Sequence, residues 1–272
     1  MVQNKNILDE TDVIILCGGL GTRLRSVISD QPKTLAKIGD ATFLDILIGN
    51  ISYYGPKNII LCVGHLKDHI RRHFDYDYSS RHDYSNRHDY SRDNYNIIFS
   101  EEEKPLGTGG ALKNAEQLIK SYSFIVMNGD SICNVDLGEF LNFHIYNSSV
   151  LSMVLTESEE PQNFGSVVLD NSRRIVSYQE KVDNKNDKLK LIKTTNGNKH
   201  LVNAGIYCMQ KDIFSCMPDD DQFSLEYDLF PELVKRTNNK CFGFVINDKL
   251  IDIGTPERYK NATNILCNKR TI

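Results

Sequence analysis

An α/β fold is what the sequence predicts: a mostly parallel sheet with helices on both faces, and a smaller lobe of antiparallel or mixed strands fused to it. Three observations carry this. Through the first half, short β-branched apolar runs alternate with helical patterns, as in sheets built from crossover units. Beyond residue 150 the strand-like runs follow one another with few helical patterns between them. The 272 residues are 40% hydrophobic and 25% charged, enough apolar material for one large domain or two joined lobes.

The elements follow in order. "DVIILCGG" is a buried strand feeding a glycine loop. "TFLDILIGNISYYG" has helical spacing and stops at Gly55, and "NIILCVG" is a second buried strand. "HLKDHIRRHF" is a short polar helix, "YNIIFSE" a third strand, and "GTGGALKNAEQLIKSY" a glycine-led helix. "SFIVMNGDS" is a fourth strand ending on Asn128, Gly129 and Asp130. Ligands of such sheets sit at the carboxyl ends of the strands, which is where the first glycine loop lies.

In the second half, "VLSMVLTES", "FGSVVLD", "RIVSYQEK", "LVNAGIYCM" and "CFGFVIND" are strand candidates. "SLEYDLFPELVKR" and "PERYKNATNILC" read as helices, and the polar span 182–200 as a surface excursion between strands. The expected organisation is a flexible N-terminus over 1–11 and a single domain over 12–268. An inserted loop over 76–95 carries the tandem hexamers "RHDYSN" and "RHDYSR". His82, His88, Tyr84 and Tyr90 could suggest a metal site or a stacking surface, but Arg and Asp cancel within each hexamer, and a surface loop is the simpler reading. His65, His69 and His73, interleaved with Lys67, Asp68, Arg71 and Arg72, read as a solvated helix face.

Composition narrows the function classes. A formal net charge of −4 gives no overall bias toward nucleic acid or an anionic membrane, so an anionic ligand must be met by a local positive cluster. The seven cysteines are scattered and form no C-x-x-C pair, which leads us to expect a reduced, cytoplasmic setting. The polar start "MVQNKNILDETD", and apolar runs too short to span a membrane, lead us to expect neither an export signal nor an anchor.

The loop "CGGLGTRLRSVISDQPK" fits neither common phosphate loop. It lacks the Gly-Lys pair of a Walker A motif, and Leu24 stands where a dinucleotide fingerprint needs its third glycine. What remains is Gly18, Gly19 and Gly21 exposing backbone N–H groups, with Thr22, Arg23 and then Lys33. Arg23 suits bidentate contact with phosphate oxygens and Lys33 acts as a mobile point charge, so the chemistry suggested is polyphosphate binding.

The loop is followed by "PLGTGGAL", "NGD", "FGSV", "QEK", "NAGIY" and "DIGTPERY". In this order the motifs resemble those of the sugar-1-phosphate nucleotidylyltransferases, the NDP-sugar pyrophosphorylases, over residues 12 to 266. Within the family the chain is most similar to the D-glycero-D-manno-heptose 1-phosphate guanylyltransferases, with mannose-1-phosphate guanylyltransferases next.

The resemblance implies a Rossmann-like mixed sheet with a fused, sugar-binding lobe: a nucleotide-binding half over roughly 12–135 and a sugar-binding half over roughly 150–255. It implies transfer of a nucleoside monophosphate to a sugar 1-phosphate, with release of pyrophosphate. By resemblance Arg23, Lys33, Asp130, Lys181 and Asp252 are the catalytic set, and Asp130 and Asp252 hold Mg²⁺. Leu16, Gly18, Gly19, Gly21, Thr22, Glu102, Gly107 and Thr108 would bind nucleotide, and Asn128, Gly165, Glu180 and Asn203 sugar. Glu102 would face the base edge, and an acceptor-only carboxylate suits the N1–H and N2–H of guanine, so GTP is favoured. Neither nucleic acid nor membrane is an implied partner, a homo-oligomer stays open, and the product would feed surface polysaccharide synthesis. The chain also ends too soon after its last motif to lead us to expect the C-terminal β-helix of some relatives.

The chain departs from many relatives in having Thr34 and Lys37 where they have prolines, and in the hexamer insertion. Other sugars and bases stay open, mannose or glucose 1-phosphate among them. A glycosyltransferase would need a D-x-D at the strand end, but Ser131 and Ile132 follow Asp130. A non-catalytic nucleotide-sugar sensor is the remaining alternative.

Overall fold

β1 (Asp12–Leu16) lies at the centre of the sheet because its apolar side chains have two faces to cover. Val13 and Ile15 point into one core and Ile14 into the other, as the period of two along a strand requires. The computed structural model describes residues 7–19, 21–24, 26–28, 30–79, 95–180, 200–236 and 240–269, and for 75–79 and 269 only the backbone.

After β1 come a small hairpin of β2 (Lys37–Ile38) and β3 (Ala41–Thr42), then α1 (Phe43–Ser52), β4 (Asn58–Val63) and α2 (Lys67–Ser79). β5 (Asn96–Glu101), α3 (Gly107–Asn114), β6 (Ser123–Asn128), β7 (Ser131–Ile132) and α4 (Leu137–Tyr146) complete the first half. The second half holds β8 (Leu151–Ser158), β9 (Ser166–Leu169), β10 (Ile175–Gln179) and the long β11 (His200–Gln210). A π-turn at Leu225–Leu229, α5 (Phe230–Lys235), β12 (Cys241–Val245), β13 (Ile251–Asp252) and α6 (Pro256–Lys269) close the chain.

β5, β4, β1 and β6 run parallel, and β11 joins β6 antiparallel, so both halves share one nine-stranded sheet. β8 pairs antiparallel with β11, while β12 adds to β8 in parallel, giving the mixed α/β sheet the sequence predicts. Helices α1, α2, α4 and α6 cover one face and α3 and α5 the other. Chain order along the sheet reverses beside β1, with β4 on one side and β6 on the other. A crevice therefore opens at their carboxyl ends. No helix among the described residues is long and apolar enough to cross a membrane.

Five elements differ from expectation. Residues 7–11 are not a loose tail: Leu8 is fully buried, its N–H donates to the Tyr54 carbonyl and its own carbonyl accepts from Lys57. α2 continues to Ser79, into the span expected as an insertion, while residues 80–94, with most of the hexamer repeat, lie outside the described residues. α3 stops at Asn114 because the buried Asp12 carboxylate accepts the N–H groups of Lys120 and Ser121 at 2.6 and 2.8 Å, drawing the chain toward β1. The helix expected over "SLEYDLFPELVKR" opens as a π-turn in which the Phe230 N–H reaches the Leu225 carbonyl. Pro231 follows at once, and a proline cannot continue the ordinary ladder. α4 has no counterpart among the expected elements, although Asp136 caps it by accepting from the Glu139 N–H at 2.9 Å.

Candidate active site

The first glycine loop leaves β1 at Leu16 and is shaped by Glu102. A side chain on Gly18 would start 2.5 Å from Glu102 Oε1, so without one the loop passes over that carboxylate where it stands. Glu102 is 7% exposed, its Oε2 accepts from the Leu106 N–H at 3.1 Å, and Gly64 after β4 packs against it. Burial pushes its pKa above the usual carboxylate range, opposed by the Leu106 hydrogen bond. Gly19 faces open space and Gly21 has a left-handed φ of 57°. Thr22 and Arg23 are exposed on the following 3-10 turn, which the buried Leu24 anchors.

Opposite this loop stand two carboxylates from distant parts of the chain. β7 and β13 form an antiparallel ribbon, with the Ile253 N–H donating to the Asp130 carbonyl at 3.0 Å. Asp130 and Asp252 are thereby neighbours. Each is paired with a cation: Lys33 Nζ donates to Asp130 Oδ2 at 2.5 Å, and Arg258 Nη1 lies 3.2 Å from Asp252 Oδ2 and 3.3 Å from its Oδ1. Asp252 Oδ1 also accepts from the Gly254 N–H at 2.8 Å. Arg258 stands in the first turn of α6, with its guanidinium 5.0 Å from the Phe164 ring centroid.

Among the described residues no group of three or more His, Cys, Asp and Glu could hold a metal by itself. Two hard carboxylates on neighbouring rungs do fit Mg²⁺, which takes one or two protein carboxylates and completes its shell with phosphate oxygens and water.

The second glycine loop, at the start of α3, packs against residues 221–223. A side chain on Gly107, whose φ is 74°, would start 2.5 Å from the Phe223 carbonyl oxygen, and one on Gly109 would fall inside the Phe223 ring. Thr108 is committed inside the protein: its hydroxyl donates to Glu226 Oε2 at 2.5 Å and accepts from the Leu225 N–H at 2.9 Å.

From Glu226 a hydrogen-bonded chain runs into the second half. Tyr207 OH donates to Glu226 Oε1 at 3.5 Å, and Asn203 Nδ2 donates to Tyr207 OH at 2.8 Å and reaches Tyr178 OH at 3.4 Å. Tyr178 OH donates to Glu180 Oε2 at 2.6 Å. Burial, reinforced by the carboxylates, holds both tyrosines well above the usual phenol pKa, so they stay neutral donors. A side chain on Gly165 would start 2.5 Å from Glu180 Oε2. A bulge in β11 brings Gly205, with φ 74°, against Asn128 and Ser131. Asn128 Oδ1 is buried there with no partner among the described residues, a polar atom left for a polar ligand.

Of the expected residues, the structure brings Gly18 to Glu102, Lys33 to Asp130, and Gly165 and Asn203 to the hydrogen bonds of Tyr178 and Glu180, while Thr108 turns to Glu226 and Lys181 lies outside the described residues. Sequence reading passed over Tyr178, Tyr207, Glu226 and Arg258. Arg258 and Tyr207 sit inside quoted motifs, "DIGTPERY" and "NAGIY", and Tyr178 precedes "QEK" by one residue. Only the fold reveals the partners of Glu226.

A family model, Nucleotidyl transferase, matches residues 12–269. The chain is 32% identical over 246 residues to D-glycero-alpha-D-manno-heptose 1-phosphate guanylyltransferase of Campylobacter jejuni, covering 90% of this chain and 96% of that one. It is also 32% identical over 251 residues to the protein of that name from Aneurinibacillus thermoaerophilus, covering 92% and 96%. The crystal structure of HddC from Yersinia pseudotuberculosis complexed with GMP-PN superposes with a TM-score of 0.72 at 32% identity, covering 94% of this chain and 99% of that one.

Proposed function

We propose that this chain, which belongs to the nucleotidyl transferase family, transfers GMP from GTP to a sugar 1-phosphate, D-glycero-D-manno-heptose 1-phosphate foremost, and releases pyrophosphate. The observation that carries the reading is the ribbon of β7 and β13, which sets Asp130 and Asp252 side by side, facing Lys33 of the glycine loop.

In this reaction an oxygen of the sugar 1-phosphate attacks the α-phosphorus of GTP. The new Pα–O bond forms as the bond to the bridging oxygen breaks, and pyrophosphate leaves with that electron pair. The second pKa of a phosphate monoester is about 6, so the nucleophile is already ionised near neutral pH and needs no general base. The protein's part is to align two anions and offset developing charge. Lys33 serves the phosphates near the reacting centre and Arg23 the departing pyrophosphate. Asp130 and Asp252 are the residues to hold Mg²⁺, which when bound neutralises phosphate charge.

Glu102 supports guanine. Its Oε2 is fixed by Leu106 and its Oε1 comes up beside Gly18, so the ionised group offers acceptors to the N1–H and N2–H edge. Thr108, bound to Glu226, serves by fixing the second loop rather than by offering its hydroxyl. Glu180, Asn203, Gly165 and Asn128 form the sugar side, with the unpartnered Asn128 Oδ1 available to a hydroxyl. Lys181 belongs to the phosphate of the incoming sugar by resemblance alone. Purified protein with Mg²⁺, offered each nucleoside triphosphate with a set of sugar 1-phosphates, should release pyrophosphate fastest with GTP and the heptose phosphate. Nucleotide binding without pyrophosphate release from any pair would favour the sensor.

A further inference from the structure

We propose that Arg258 receives the phosphate of the sugar 1-phosphate, and that Asp252 holds it in place until the metal takes that carboxylate. This rests on the nucleotidyl-transfer reading and adds a residue that the motifs leave without a role. Arg258 engages Asp252 through one nitrogen only, Nη1. A guanidinium carries five N–H donors, and among the described residues Nε and Nη2 have no partner, so the rest of the fork is available to phosphate oxygens. The guanidinium carbon lies over the Phe164 ring, 5.0 Å from its centroid, and Phe164 is the residue before Gly165.

Lys33 and Arg258 approach the ribbon together. A side chain begun on Gly254 would lie 3.8 Å from Lys33 Nζ and 3.9 Å from Arg258 Nη1. Before substrate arrives, two cations balance two carboxylates at a site where none is fully exposed. With Mg²⁺ and the two anionic substrates bound, Asp130 and Asp252 would be the residues to hold the metal, and Lys33 and Arg258 would be free to pair with phosphate. Neither cation would then be left without an anionic partner. Lys33 then serves the nucleotide and Arg258 the sugar phosphate.

The test compares wild type, Arg258→Gln and Arg258→Lys as full-length proteins. Steady-state kinetics give KM for GTP and for heptose 1-phosphate separately, and calorimetry gives Mn²⁺ binding in the presence of a non-hydrolysable GTP analogue. Arg258→Gln should raise KM for the sugar phosphate at least about tenfold, the range of a lost charged hydrogen bond, and leave KM for GTP within about twofold. Mn²⁺ should bind the variant several-fold more tightly, because the competitor for Asp252 is gone. Arg258→Lys keeps the charge and should recover much of the sugar-phosphate KM. Unchanged sugar-phosphate KM and Mn²⁺ affinity in Arg258→Gln would overturn the proposal. So would an equal rise in both KM values, which marks Arg258 as a brace for α6. If Arg258→Gln does not fold, Arg258→Lys decides: a modest rise in the sugar-phosphate KM with KM for GTP unchanged supports the proposal, and equal changes in both or none in either overturn it. Wild type that releases no pyrophosphate would sink the nucleotidyl-transfer reading itself, and the Mn²⁺ titration would still decide whether Arg258 competes for Asp252.

Discussion

Around the ribbon of β7 and β13, where we propose the phosphates bind, Lys33, Asp130, Asp252 and Arg258 meet as ion pairs whose side chains are 15% to 42% exposed. In the second half, where we propose the sugar binds, Tyr178, Asn203 and Tyr207 are almost wholly buried and join Glu180 to Glu226 through hydrogen bonds. Partly exposed ion pairs are worth little and exchange partners readily, which suits a place where metal and phosphates come and go. Buried networks are costly to break and hold a fixed shape, which suits recognition of hydroxyls. One end is built to be rearranged, the other to stay as it is.

The comparison breaks first at Asp130 and Asp252. Asp130→Asn or Asp252→Asn should lower kcat at least about a hundredfold with the melting temperature close to wild type, since electrostatic groups of this kind carry barriers of that size. Near wild-type turnover in both variants would remove the metal assignment.

Glu226→Gln comes next. It leaves Thr108 a weaker neutral acceptor, where charged hydrogen bonds contribute about 1.5–3 kcal/mol. Melting temperature should fall, and KM should rise for both substrates, because Thr108 shapes the nucleotide loop and Tyr207 leads to Asn203. A rise for one substrate alone would show that the chain of bonds does not join the two ends.

These pairs also mark the limit of what the sequence discloses. Buried strands such as "DVIIL" and "NIILCV" are legible because both faces of a central parallel strand must be apolar. The anion loop is legible because glycines followed by Arg and Lys have few other uses in combination. Glu226 is not legible, because its partner Thr108 stands 118 residues away and the π-turn that aims it arises only where Pro231 meets the packing of α5. The early end of α3 depends likewise on Asp12, a residue that reads simply as the start of a strand. Arg258 lies inside a recognised motif, yet nothing in "TPERY" tells that its guanidinium folds back onto Asp252.

Glu102 gives a moderate effect confined to the nucleotide. Burial raises its pKa, and the proposed contact with guanine needs it ionised, so KM for GTP should rise as pH falls through that raised value while the heptose phosphate KM changes less. Glu102→Gln replaces half of its acceptor edge with a donor and should raise KM for GTP about tenfold and flatten its acid limb. An unchanged preference for GTP would move base recognition elsewhere.

The smallest effect on turnover is expected at His144, which lies away from the crevice between α4 and β8. It is fully buried, its Nδ1 lies 3.0 Å from Ser152 Oγ, and burial holds its pKa down at about 4. The unfolded chain takes up a proton near pH 6.5 that the folded chain refuses. Its contribution to stability is therefore complete above that pH and is lost as pH falls toward 4. His144→Gln should flatten the melting temperature over that range without changing kcat, as thermal melts across pH will show.

The central claim is displacement at the α-phosphorus of a nucleoside triphosphate, and ³¹P NMR of the reaction mixture tests it most directly. With GTP, D-glycero-D-manno-heptose 1-phosphate and Mg²⁺, the GDP-sugar diester resonances and pyrophosphate should grow together in equal amounts while both substrates decline. Formation of GDP with inorganic phosphate, or unchanged spectra while nucleotide is bound, would contradict it.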